Sequence, residues 1–148
     1  ILVRAEVKSL GVEELPHVFG EVAAKMRADH GEDVLAQRLT SAVDELLLEN
    51  PIVLIEGLRG TAEREVFANH WSKDFIVVAV SASKDLRFER VVSRARSEDG
   101  SLSDLERRDA RETGWGLDVI IAEADQIFSN EAGLDELETS VTAWLKSL

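Results

Sequence analysis

Cysteine and tyrosine are absent from this 148-residue chain, proline occurs twice, and lysine is confined to positions 8, 25, 73, 84 and 146. Each scarcity excludes something. Without cysteine there is no disulfide framework, no thiolate metal site and no Cys nucleophile, which fits a reducing compartment and a cytoplasmic protein. No apolar run reaches the roughly 18 residues of a membrane span, so no membrane partner is expected. The opening residues Ile1, Leu2, Val3 and Arg4 have neither the long apolar stretch nor the small cleavage-site residues of a signal peptide. Two phosphate-binding glycine patterns, GxxxxGK[ST] and GxGxxG, are missing, and so is the GxSxG elbow of serine hydrolases. His17, His30 and His70 fall on separate elements without metal-ligand spacing, which favours surface or packing roles. Positive charge is also short: 29 acidic against 17 basic residues leave a net charge of −12, which argues against general nucleic-acid binding. Any anion must therefore be met locally.

What remains is enough for one globular domain, since 45% of the residues are hydrophobic. Residues 1–10 have weak helical character ending at Gly11, and Pro16 opens a second helix striped by Val18, Val22 and Met26, which stops at His30 and Gly31. A third helix carries Val34, Leu35, Leu39, Ala42, Val43, Leu46 and Leu47 at a period near 3.6 and is closed by Asn50 and Pro51. Residues 52–55, four consecutive apolar positions, predict a strand buried on both faces, as in a parallel sheet. A helix from Thr61, with Thr61 as its N-cap, runs to about His70. Residues 75–80 form the next predicted strand, followed by a helix through Arg96, a loop over 97–101 and a helix over 102–112. Beyond Gly114, Trp115 and Gly116 come a short helix at 117–124, a strand at 126–129 and a terminal amphipathic helix at 134–145. Strands alternating with helices predict an α/β fold with a parallel sheet.

Seven of the twelve arginines lie within residues 75–111. At about 100° per residue, Arg87, Arg90 and Arg94 share one side of a helix, beside a core-facing stripe of Phe88, Val91, Val92 and Ala95. Planar guanidinium donors suit phosphate and stack on bases, which points to a nucleotide or phosphate site. The alternative is a solvated face on which Asp85, Glu89, Glu98 and Asp99 pair the arginines. In open parallel sheets ligands bind beyond the carboxyl ends of the strands, which singles out residues 56–59, 81–83 and 130. Glu56 directly follows the apolar run 52–55. Its carboxylate could hold a Mg²⁺ shell water or orient a nucleophile, with Arg59 gripping a phosphate beside it; alternatively the two simply pair at a loop.

Five motifs in order then resemble a known family: VLIEGLRG at 53–60, ExEVF at 63–67, RFERxxxRxR at 87–96, RDxRE at 108–112 and ADxIxxN at 124–130. They are similar to an archaeal family of P-loop proteins related to adenylate kinase and dephospho-CoA kinase, over nearly the whole chain. The resemblance implies a three-layer P-loop-kinase-like α/β fold with flanking helices, in one domain with a small lid-like insertion around 97–113. It implies ATP and Mg²⁺ as cofactors. Glu56 and Arg59 would lie by the acceptor and metal, although Glu56 replaces the more usual Asp. Arg90 and Arg94 resemble the adenine-stacking and phosphate-binding arginines at the lid base, Arg96 and Arg108 the lid arginines that close on the transferring phosphoryl, and Arg4 an acceptor-binding arginine. Asn130 is placed near the adenine through its loop backbone.

In that family a strand, the P-loop with its Lys and Ser/Thr, a helix and a second strand come first, and Ile1 aligns just after them. The first of those strands lies at the centre of the sheet, between the strands that here are 52–55 and 75–80. The resemblance implies phosphoryl transfer from ATP to a small acceptor, a nucleoside monophosphate or a CoA precursor. Two other readings remain: a non-catalytic relative that uses its arginine groove to bind a nucleotide or partner, and an ATP-hydrolysing switch.

Overall fold

The chain is described by a computed structural model over residues 2–13, 16–94 and 101–148, with backbone alone at residues 2, 16, 17 and 94. It divides into two compact units: residues 1–75 with Gly114–Leu117, and residues 76–113 with 118–148.

The first unit is helical. Helix α1 (Leu2–Ser9) packs on α2 (Pro16–His30), α2 on α3 (Val34–Leu47), and α3 on α4 (Thr61–Trp71). Pro16 supplies a pre-set φ at the first position of α2, where its missing N–H costs nothing. Val7, Val22, Met26 and Val34 form the buried cluster, with Val3, Val18, Phe19 and Leu35 packed around it. Each such side chain taken out of water contributes about 1.5–3 kcal/mol. At the other end of the unit Phe67, Trp71 and Phe75 stack with centroids 5.3 to 6.4 Å apart, across a 3₁₀ turn at Ser72–Asp74. Asp44 ties α3 to this group, accepting from the Trp71 indole and pairing with His70, both at 2.8 Å.

The second unit holds the sheet. Strand β1 (Val78–Ser81) pairs in parallel with β2 (Gln126–Ser129), Val78 opposite Gln126 and Ser81 opposite Ser129. Between them run α5 (Lys84–Arg94), α6 (Leu102–Gly114) and α7 (Leu117–Ala122), and α8 (Leu134–Leu145) follows β2. The strands enter together because the Asp125 carboxylate accepts the Val77 N–H at 2.8 Å, and they leave together because the Asn130 N–H donates to the Ser81 carbonyl at 2.8 Å. Ala79, Val91, Leu105, Ile120 and Phe128 are buried, and Phe128 meets Trp144 of α8 edge-on at 5.8 Å.

The fold is thus mixed α/β, mostly helical, with a two-stranded parallel sheet among the described residues. The helices and the strand at 126–129 fall within about two residues of where the sequence puts them, with the end of the helix expected through Arg96 and residues 97–100 of the expected loop outside the described residues, but three expectations are corrected. Residues 52–55 form no strand: a strand needs a neighbour to take its backbone hydrogen bonds, and the two strands described pair with each other. Far from being buried on both faces, Ile52 and Leu54 are 65% and 87% exposed. The first strand begins at Val78, three residues later than expected, because residues 72–74 are wound into the 3₁₀ turn and the parallel ladder starts opposite Gln126. The apolar stripe of α3 is buried at Val34 and Val43 but emerges at Leu46 and Leu47, in the last turn of the helix.

Gly116 is needed where it stands. Its φ is +90°, and a Cβ there would come within 2.6 Å of Thr61 Cγ2. Gly116→Ala is expected to lower unfolding free energy by about 1–3 kcal/mol. Gly114→Ala, where a Cβ meets nothing within 4 Å, should be neutral or slightly stabilising. Urea unfolding of the two variants side by side checks both.

Candidate functional site

The candidate residues fall in both units, and each group has its own geometry. In the first unit, residues 51–60 cross from α3 to α4 without regular structure. Glu56 is exposed and Arg59 half-buried, with Arg59 Nη1 donating to the Leu58 carbonyl at 3.0 Å. Helix α4 begins at Thr61 with Gly60 as its N-cap residue, not Thr61. Glycine has no side-chain oxygen to cap with, and Glu63 does that work from within the first turn: its Oε2 accepts the Arg59 and Gly60 N–H groups at 3.3 and 3.2 Å. Its Oε1 accepts Arg27 Nη2 at 2.6 Å, in an ion pair whose side chains are only 4% and 5% exposed. The Arg27 guanidinium lies over the Trp115 ring, 4.4 Å from its centroid, and the Thr61 N–H donates to the Trp115 carbonyl at 3.0 Å. Sequence reasoning missed Arg27 and gave Glu63 no role; the one signal was an acidic residue three positions after Gly60. Arg4, exposed on α1, sits 5.7 Å from the Phe19 ring centroid.

In the second unit the carboxyl ends of β1 and β2 open beside the start of α5. Glu131 accepts the Ser83 N–H at 2.5 Å and the Ser83 hydroxyl at 3.1 Å, fixing the turn into that helix. Asn130 Oδ1 is buried there without a hydrogen-bond partner among the described residues. On α5, Arg87 gives a bidentate pair to Asp109 of α6 at 3.0 and 2.7 Å, and Lys84, one turn earlier, meets Glu106 at 2.7 Å. The partner of Arg87 is therefore on the next helix, not among its neighbours Asp85 and Glu89. Hydrogen bonding to Asp109 raises the Arg87 pKa, and the same bonds lower that of Asp109. Arg90 and Arg108 are half-buried on α5 and α6. Arg94 ends α5, its side chain outside the described residues, and Arg96 lies outside them altogether. Helix α6 starts on a reciprocal cap in which Asp104 accepts the N–H and hydroxyl of Ser101, both at 2.7 Å. Those bonds, with a further one from Arg107, hold Asp104 down at about 2.

Among the described residues no three His, Asp or Glu side chains converge to hold a metal. No described helix is long and apolar enough to cross a membrane.

No model of a known protein family matches the chain. Curated relatives do. A UPF0200 protein of Methanoregula boonei is 36% identical over 148 residues, covering 99% of this chain and 80% of its own length. The chain belongs to the UPF0200 family. A second UPF0200 protein, from Methanoculleus marisnigri, is 34% identical over 144 residues, 97% of this chain and 77% of its own. The UPF0200/UPF0201 protein of Archaeoglobus fulgidus is 34% identical over 148 residues, and there the chain spans 46% of the relative's length. These UPF0200 relatives are archaeal.

Two expectations follow for this UPF0200 chain. Glu63→Ala leaves the buried Arg27 charge alone and should cost about 3–5 kcal/mol, whereas the paired change Arg27→Met with Glu63→Leu should cost less, as urea unfolding will show. The folded pKa values of Asp104 and Asp109 lie below the ordinary 3.8, so their contribution to stability is complete above that value and is lost as pH falls through the folded values, toward pH 2 for Asp104. Unfolding free energy measured from pH 5 to pH 2 should fall, and the fall should be shallower in Asp104→Asn.

Proposed function

We propose that this UPF0200 chain is the nucleotide-binding part of a P-loop-kinase-like protein of three-layer α/β fold, which transfers a phosphoryl group from ATP to a small acceptor. The observation that carries the reading is the parallel pair β1 and β2, whose carboxyl ends lead directly into the arginine-bearing α5 on one side and Asn130 on the other. Crevices at such strand ends are where open α/β sheets take their ligands. The ordered motifs at 53–60, 63–67, 87–96, 108–112 and 124–130 support it further. The phosphate cradle that ATP requires is, in this reading, supplied by residues outside these 148.

In this reading Arg94 binds phosphate and Arg90 stacks on the adenine. Arg96 and Arg108 neutralise charge that builds on the transferred group, and Glu56 orients the acceptor or a metal-bound water. Arg4 and Arg59 hold the acceptor, whose chemistry is that of a nucleoside monophosphate or a CoA precursor. The unmet Asn130 acceptor is the kind of group that a ligand N–H satisfies after local opening. Mg²⁺, when bound with ATP, would offset the charge of the phosphates, and Glu56 is the residue of this chain that would hold it, through water.

A second reading is a non-catalytic binding protein. It is favoured by the internal pairing of Arg87 with Asp109, which takes one guanidinium of the α5 stripe away from any ligand.

Acceptor-dependent ADP formation by the full-length protein, with AMP and dephospho-CoA offered in turn, decides between them. Production of ADP without any acceptor would instead indicate an ATP-hydrolysing switch. Arg94→Ala should weaken ATP binding by about 1.5–3 kcal/mol, on the order of ten- to a hundredfold, with little change in melting temperature. Loss of stability with unchanged binding would assign Arg94 to structure. Arg90→Ala should weaken ATP more than CTP, and equal losses would contradict adenine stacking.

A further inference from the structure

Three consecutive N–H groups mark the entry to α4, and all three have protein acceptors. Arg59 and Gly60 donate to Glu63 Oε2, and Thr61 donates to the Trp115 carbonyl. Two amides converging on one oxygen form the concave donor arrangement that elsewhere holds an anion, and the helix start favours negative charge. Here the anion is internal. Glu63 fills the place with its own carboxylate, so a phosphate arriving at this loop meets the Arg59 side chain and not the Arg59 and Gly60 amides.

Burying a carboxylate is costly without a paired cation, and Arg27 of α2 provides one. The same guanidinium covers the face of Trp115, the residue that accepts the third N–H. Among the described residues Arg27 Nε has no hydrogen-bond partner, an unusual omission for a group with 5% exposure. Replacing a buried ion pair by well-packed apolar residues is often neutral in stability, so packing alone does not account for an arginine here. What an apolar pair does not supply is the acceptor for the loop amides.

We propose that Arg27 is a positioning residue. By holding the Glu63 carboxylate against the amides of Arg59 and Gly60, it fixes the backbone at 59–60 from which the Arg59 side chain meets a phosphate monoester. The ligand part of this inference rests on Arg59 as an acceptor-binding residue; the backbone part stands on the geometry alone.

The test uses the full-length protein, with AMP as the probe. Amide hydrogen exchange is followed at Arg59 and Gly60, with the core amides of Val22 and Val43 as internal reference. Arg27→Met should speed exchange at the loop amides by about tenfold or more relative to those references, and should weaken AMP to the level of Arg59→Ala. Arg27→Lys, which keeps the charge, should restore both. If Arg27→Met does not fold, Arg27→Gln, which is neutral and keeps Glu63, takes its place, with both changes expected in the same direction. Unchanged loop exchange overturns the proposal, and so does faster exchange with wild-type AMP affinity. A wild-type protein that binds no AMP overturns the phosphate reading of Arg59, and the exchange rates then decide the positioning role by themselves.

Discussion

The Arg27–Glu63 ion pair is the contact on which the first unit's irregular chain depends. Residues 51–60 leave α3 and reach α4 without a ladder or a helix to receive their hydrogen bonds. Glu63 reaches back from the first turn of α4 and takes two of those N–H groups, Arg27 pairs with its carboxylate in a place nearly closed to water, and Trp115 takes the next. Removing either charge leaves the other buried alone, which costs more than the pair itself contributes.

The same device recurs in the second unit, with less burial. Asp125 receives the Val77 N–H at the entry to the sheet, Glu131 the Ser83 N–H at the turn into α5, and Asp104 the Ser101 N–H at the start of α6. Four carboxylates therefore meet backbone groups at the starts of elements, where neither helix nor strand supplies a partner. An acid-rich chain is well supplied with such acceptors. The basic residues are used differently: Lys84 and Arg87 join α5 to α6 through Glu106 and Asp109, so part of what reads in sequence as a phosphate-binding stripe is fastening between helices.

Much of the architecture was legible because it follows from local patterning. Pro16, His30 with Gly31, and Asn50 with Pro51 punctuate α2 and α3, and the apolar period places their inner faces. The parallel pairing of the strands followed from their alternation with helices. The strand expected at 52–55 failed for a physical reason: apolar composition gives a segment the means to be a strand, but only a neighbour with free N–H and C=O groups makes it one. The stripe along α3 went wrong at Leu46 and Leu47 in the same way, since periodicity tells which face is apolar and not how far a partner covers it. Of the site, Glu56, Arg59 and the α5 arginines could be singled out by residue type and spacing. Arg27 could not, because nothing in its own helix distinguishes a guanidinium that is buried on Trp115 from one in solvent.

By itself the sequence determined the helices, their stops, the acidic balance, and the residues able to meet an anion, because these depend on neighbours within a few positions. Only the tertiary structure decided which charges are spent internally. Arg27 and Glu63 are 36 residues apart and Arg87 and Asp109 are 22 apart, and such pairs form only when packing brings their helices together, nearly closed to water for the first and part-exposed for the second. Burial and pairing are properties of the folded chain, and they show that Arg27 and Arg87 help to hold it together.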